Sequence, residues 1–181
     1  MSEKKRRVPK IPTPTIEELK IMTQETLDDA LILAATKNNL ALIKELLTSE
    51  NLKCKANINI KNSTKYSALM NACYNDSLEV VKYLLTSPDL KDHADLYKNV
   101  NGIDAFILSC ICLSESKDVI KFLLFEMNIK ISAHHMAFLN GWGGIEEKHD
   151  DVLKLIDMRN LKNELNNNLT NKDNDIIIKK I

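Results

Sequence analysis

Apolar residues recur along this chain at an interval of 37 or 38 positions, and that interval restricts the available folds more than any other feature. Within residues 67–85, Leu69, Ala72 and Cys73 fall on one side of a short helix, and Val80, Val81, Leu84 and Leu85 on one side of a second. Asn75, Asp76 and Ser77 separate the two with polar turn chemistry. The same order appears 38 positions earlier, in residues 29–35, a turn at Asn38 and Asn39, and residues 40–47. It appears again 37 positions later, in residues 104–110 and, after a turn two residues longer, in residues 118–124. Ala34, Ala72 and Ser109 keep one slot small, while Ile43, Val81 and Ile120 keep the facing slot β-branched. A helix pair this short cannot bury its own apolar faces, so the copies must stack on one another. The expected fold class is all-α: a solenoid of about four helix-turn-helix repeats with a capping element at each end.

The run Ala-Leu-Met-Asn-Ala-Cys at 68–73, followed by Leu-Glu-Val-Val-Lys-Tyr-Leu-Leu at 78–85, resembles the ankyrin repeat, with its T-P-L-H-x-A-A and G-H-x-E-V-V-K-L-L-L segments. Residues 55–59 and 93–96 match the G-A-D-V-N tail of that pattern, Gly102 stands at its turn glycine, and Asn62 and Asn99 stand at its turn aspartate. The resemblance covers roughly residues 27–156 and implies repeats near 27–58, 65–96, 102–129 and 132–158. These would form a domain over 15–165, between a basic, proline-containing disordered tail at 1–14 and a flexible Asn/Ile/Lys-rich tail at 166–181. The Lys-, Asn- and Ile-rich composition is similar to that of ankyrin arrays in giant DNA viruses and some protists. Departures from the pattern also carry expectations. The family's clamping histidine is replaced by Ile32, Met70 and Ile107, while Asp29, Ser67 and Asp104 in its threonine slot can still cap a helix. Capping should survive and the clamp should not, leaving the array less stable than a regular one.

The resemblance implies a non-enzymatic protein–protein interaction module that presents finger loops, centred near residues 62–66 and 99–103, and a concave inner-helix face. By matched position, Tyr66 and Ile103 precede an inner helix, Asn71 and Leu108 take its variable slot, and Tyr74, Asn75 and Ile111 follow its small pair. Each either touches a protein partner or fills a gap between repeats. Trp142, set in Gly141-Trp142-Gly143-Gly144, either folds back as a lid on the last repeat or stands out as an anchor. Two matching insertions, 48–53 and 86–91, hold one apolar residue each, and Leu52 and Leu90 should be tucked beneath them.

At the amino end, Lys4, Lys5, Arg6 and Arg7 read as a nuclear-import signal or as a solvated terminus. Pro12 and Pro14 delay the first helix, and Thr15 with Glu18 has capping-box spacing. A short helix to about Met22 should lay Ile16, Leu19 and Ile21 against the first repeat, whose own cap is expected at Thr26. At the other end, Leu161 and Leu165 continue a helical spacing that residues 166–168, all Asn, should halt. Residues 175–181 read as a sticky strand, a docking tail or a loose end.

Formal net charge is zero, so no global field draws the chain to nucleic acid. No apolar run reaches the 18 or so residues that would span a bilayer. Four Cys without a secretory leader suit a reducing compartment, so the expected location is the cytoplasm, or the nucleus if the basic run directs import, or a host's cytoplasm. Cys110, Cys112, His134, His135 and His149 are ligand types for Zn²⁺, but their spacing is wrong for a site and Cys110 belongs to the core pattern. No phosphate loop or nucleophile elbow is present. No metal, cofactor or enzyme activity is expected, and the chain should be a monomer that binds another protein. The alternative function is a nuclear or host-directed regulator that uses the basic run for import and the carboxy-terminal tail to recruit a second protein.

Overall fold

Thr15 caps the first helix: its hydroxyl accepts from the Glu18 amide while the Glu18 carboxylate accepts from the Thr15 amide at 2.7 Å. The computed structural model describes residues 14–61, 63, 65–98, 100–111, 117–141 and 149–178, without the side chains of 16 and 170–178. Its helices are α1 (Ile16–Ile21), α2 (Gln24–Thr36), α3 (Leu40–Thr48), α4 (Ala68–Tyr74), α5 (Leu78–Thr86), α6 (Ala105–Ile111), α7 (Asp118–Lys121), α8 (Ala133–Leu139) and α9 (Asp150–Ile178). Between α7 and α8, Phe122–Glu126 continues as one π-helical turn. The fold is thus the all-α stack expected: α2, α4, α6 and α8 form an inner row, and α3, α5, α7 with its π turn, and α9 form an outer one.

Three of the pairs have a left-handed residue at the same slot of the turn, Asn38 (φ 53°), Asp76 (φ 50°) and Gly141 (φ 87°). The next amide then bonds back to the small inner-helix residue, Asn39 to Ala34 and Ser77 to Ala72, each at 2.9 Å. Pairs are joined by the stripes that fixed the period. Ala34, Ala72, Ser109, Ile43, Val81 and Ile120 are all at most 2% exposed. On the outer row the lysine of one repeat lies over an aromatic ring of the next: Lys44 over Tyr83 at 5.3 Å and Lys82 over Phe122 at 5.5 Å. Leu52 and Leu90 are buried beneath their insertions, as expected.

Four expectations need correction. Asp29 does not cap an inner helix and Thr26 does not start one, because α2 begins six residues earlier than its counterparts, at a cap on Thr23. Nothing in residues 24–29 removes a donor, and no finger precedes this repeat to occupy the space. Ile21 is 85% exposed and covers nothing, whereas Leu19, on the buried side of α1, is 2% exposed. Finally, α9 runs through residues 166–168 to Ile178, so the Asn run does not halt it and residues 175–178 are helical, not a strand. Asn lowers helix propensity only by tenths of a kcal/mol, roughly, and propagation needs just one new bond per residue.

The connections set the surface. Lys61 bridges Ser67 in the first finger, and Val100 exchanges two 2.9 Å backbone bonds with Ile103 in the second. Asn101 and Gly102 turn that second finger with φ of 53° and 82°, the left-handed pair a two-residue hairpin requires. A third hairpin does not follow: Ser132 caps α8 three residues after Ile129 docks on Leu123.

Candidate protein-binding surface

The inner helices present two slots to their open side, one just before the small residue and one two after it. In the first slot Leu33 is 38% exposed and Met136 36%, while Asn71 is half-buried and Leu108 is 3% exposed. Leu108 is therefore a core residue and not the surface contact expected of it. Leu108 is covered on α6, which packs between α4 and α8, while on α4, also flanked on both sides, Asn71 stays half-buried, and Leu33 and Met136 lie on the end helices α2 and α8. In the second slot Tyr74 is 46% exposed and Ile111 half-buried.

The remaining expected positions divide. Asn75 is exposed, its amide donating to the Asn71 carbonyl at 2.8 Å, and Asn71 donates to the Ser67 carbonyl at 2.9 Å. Both amides thus spend a donor on their own helix. Tyr66 and Ile103 at the finger bases are half-buried and pack on the core. Trp142 and the basic run Lys4, Lys5, Arg6 and Arg7 lie outside the described residues, as do Asn62 and Asn99. Leu33, Met136 and the exposed Tyr97 of the second finger were not singled out from the sequence. For Leu33 and Met136 the pointer was available, since they hold in the end repeats the slot of Asn71 and Leu108.

A polar cluster sits where the third hairpin is missing. Tyr97, Gly102, Asp104, Lys130, Ser132, His134 and His135 line a hollow of about 440 Å³ there. Asp104 caps α6 by accepting from the Ile107 amide at 2.9 Å, and its other oxygen accepts from His135 Nε2 at 2.7 Å. His135 Nδ1 in turn accepts from the Ser132 amide, and the Ser132 hydroxyl accepts from the His135 amide. That fixes the proton on Nε2. The histidine clamp expected to be lost throughout is thus kept in the fourth repeat, on the sequence Ser132-Ala133-His134-His135. Burial pushes the Asp104 carboxyl up, but hydrogen bonds from His135 and from the Ile107 and Phe106 amides outweigh it and hold the group below its ordinary 3.8. His134 Nε2 donates to the Gly102 carbonyl at 2.7 Å, and a Cβ on Gly102 would approach that nitrogen to 2.9 Å.

Both His135 nitrogens are engaged, so that imidazole is not free to act as a base toward a nucleophile. Cys110 lies elsewhere in the core, its thiol pushed up to about 12 by burial, and acts as a small apolar residue. Among the described residues no three His, Cys, Asp or Glu side chains gather as metal ligands, and no helix is long and apolar enough to cross a membrane. Cys112 lies outside them.

Comparison with known families settles the class. The family model for ankyrin repeats, in three copies, matches residues 31–135, more than half of the chain. The chain belongs to the ankyrin repeat family. Neither the curated proteins nor the solved structures contain a significant match to it. Ankyrin repeats are generally protein–protein interaction modules, not enzymes. Within this ankyrin array the matched segment ends at His135, so α9 and the junction after α8 lie beyond it.

Proposed function

We propose that this ankyrin array is a non-enzymatic module that holds a protein partner along the open side of its inner helices. The observation that carries the reading is the exposure of Leu33, Tyr74 and Met136 on three inner helices of the stack. Each displays apolar area that nothing in the fold consumes, on elements held rigid by packing from their other faces. Asn75 beside Tyr74, and Tyr97 on the second finger, add hydrogen-bonding groups at the rim. Tyr66, Asn71, Ile103 and Ile111 contribute their half-exposed parts at the edge of the same surface.

The test is quantitative proximity labelling with wild type beside a Leu33→Asp, Tyr74→Ala, Met136→Asp variant, with Ile21→Ser as a surface control. The expected result is at least a tenfold loss of a defined neighbour in the triple variant and none in the control. Equal labelling of the same neighbours by all three proteins, with unchanged circular dichroism, would refute the reading.

A further inference from the structure

We infer that the carboxy-terminal helix pairs with its counterpart in a second copy of this chain, in parallel. Helix α9 carries two faces. One is used at home: Val152, Ile156 and Arg159 are buried, and Arg159 donates to the Ile129 carbonyl at 2.7 Å. Among the described residues the other packs on nothing, with Lys162 at its edge over the Phe125 ring at 6.0 Å. Met158, Leu161, Leu165 and Leu169 are 61%, 60%, 56% and 61% exposed. At about 100° per residue these four fall within an arc of about 80°, centred about 150° away from the buried face. The repeat stack therefore does not stand in the way of a partner on this side.

The length of α9 points the same way. Every residue described from Glu164 to Leu169 is exposed, and the helix nevertheless passes through Asn166, Asn167 and Asn168 to Ile178. Such a stretch has poor intrinsic propensity and buries none of its side chains against the stack, so a partner along it would stabilise the helix.

Charge selects the occupant and its direction. The spacing Met158, Leu161, Leu165 is that of alternating seam positions in a heptad, which places Asp157 and Lys162 on the two flanks of the seam. In a parallel pair, Asp157 of each copy meets Lys162 of the other, giving two opposite-charge contacts by symmetry. An antiparallel pair would bring like flanks together and set Lys162 against Lys162. The seam is short, bounded by the exposed Lys154 before it and Asn168 after it. Its area falls below the roughly 800 Å² per partner of a standard interface, so the dimer should be weak and reversible.

Sedimentation equilibrium of the full chain between 1 and 200 µM tests this. The expected weight-average mass rises with concentration from 20.6 kDa toward twice that value. Leu161→Asp should stay at the monomer mass with an unchanged melting midpoint. Asp157→Lys and Lys162→Asp should each weaken association about tenfold or more, and the double exchange should restore it. A wild type still monomeric at 200 µM overturns the inference, as does a dimer that survives Leu161→Asp. Failure of the double exchange to restore association overturns the parallel pairing. None of these residues belongs to the inner-helix surface proposed for the partner, so the two readings fail separately.

Discussion

His135 and Asp104 show how one polar pair can tie two repeats together without loosening the core. Asp104 is 8% exposed and His135 5%, and each finds partners for its buried polar atoms. Removing the charge should therefore matter more than its place near the surface suggests. Asp104→Asn should cost about 1.5–3 kcal/mol at neutral pH, the range for a hydrogen bond to a charged group. The cost should also depend on pH in a definite direction. The folded-state carboxyl titrates below the unfolded value of 3.8, so its contribution is complete above that value and is lost as pH falls through the lower folded-state one. Urea unfolding of both proteins between pH 6 and pH 3 should show the gap between them closing toward the acid end. A gap that stays constant would mean that the carboxylate is not what stabilises this junction. The Ser132–His135 spacing that predicts the pair was present in the sequence, but its partner lies 31 residues away, at Asp104, and only the stacking brings them together.

At the scale of elements, the terminal helices do what the inner copies cannot do for themselves. Among its described side chains, helix α1 covers the first repeat with Leu19 and leaves Ile21 on its far side. Leu19→Ala should therefore destabilise the fold by about 2–3 kcal/mol through lost burial and a residual cavity. Ile21→Ala should change stability by less than about 0.5 kcal/mol. Chemical denaturation of the two variants distinguishes them, and equal effects would mean that α1 does not cap the stack. The amphipathic pattern of α1 was legible from residues 16–21, yet at about 100° per residue position 21 points about 140–160° away from 16 and 19, so the three cannot all face one way. The inner-helix slot teaches the same point. Leu33, Asn71, Leu108 and Met136 hold one register position, and the two most open are on the end helices α2 and α8.

The whole molecule is an ankyrin stack in which most of the stabilising contact is apolar and local to adjacent repeats. Ile32, Met70 and Ile107 replace the family's hydrogen-bonding histidine with buried apolar side chains, at 5%, 1% and 1% exposure, and only the fourth repeat keeps the clamp. A single transition with a midpoint below about 80 °C is expected in a calorimetric melt, since stacked repeats share their core and lose it together. A midpoint well above that, or two separated transitions, would contradict this balance. The sequence alone determined the repeat period, the helix pairs, the turn residues and most of the caps. It could do so because a helix writes its buried face into positions three and four apart, and a cap into the residues beside it. The tertiary structure alone decided which copies of a slot are open, where Asp104 finds its histidine, and that α9 outruns the stack. Those outcomes depend on what stands across a repeat boundary, and no local pattern records the neighbour that is absent.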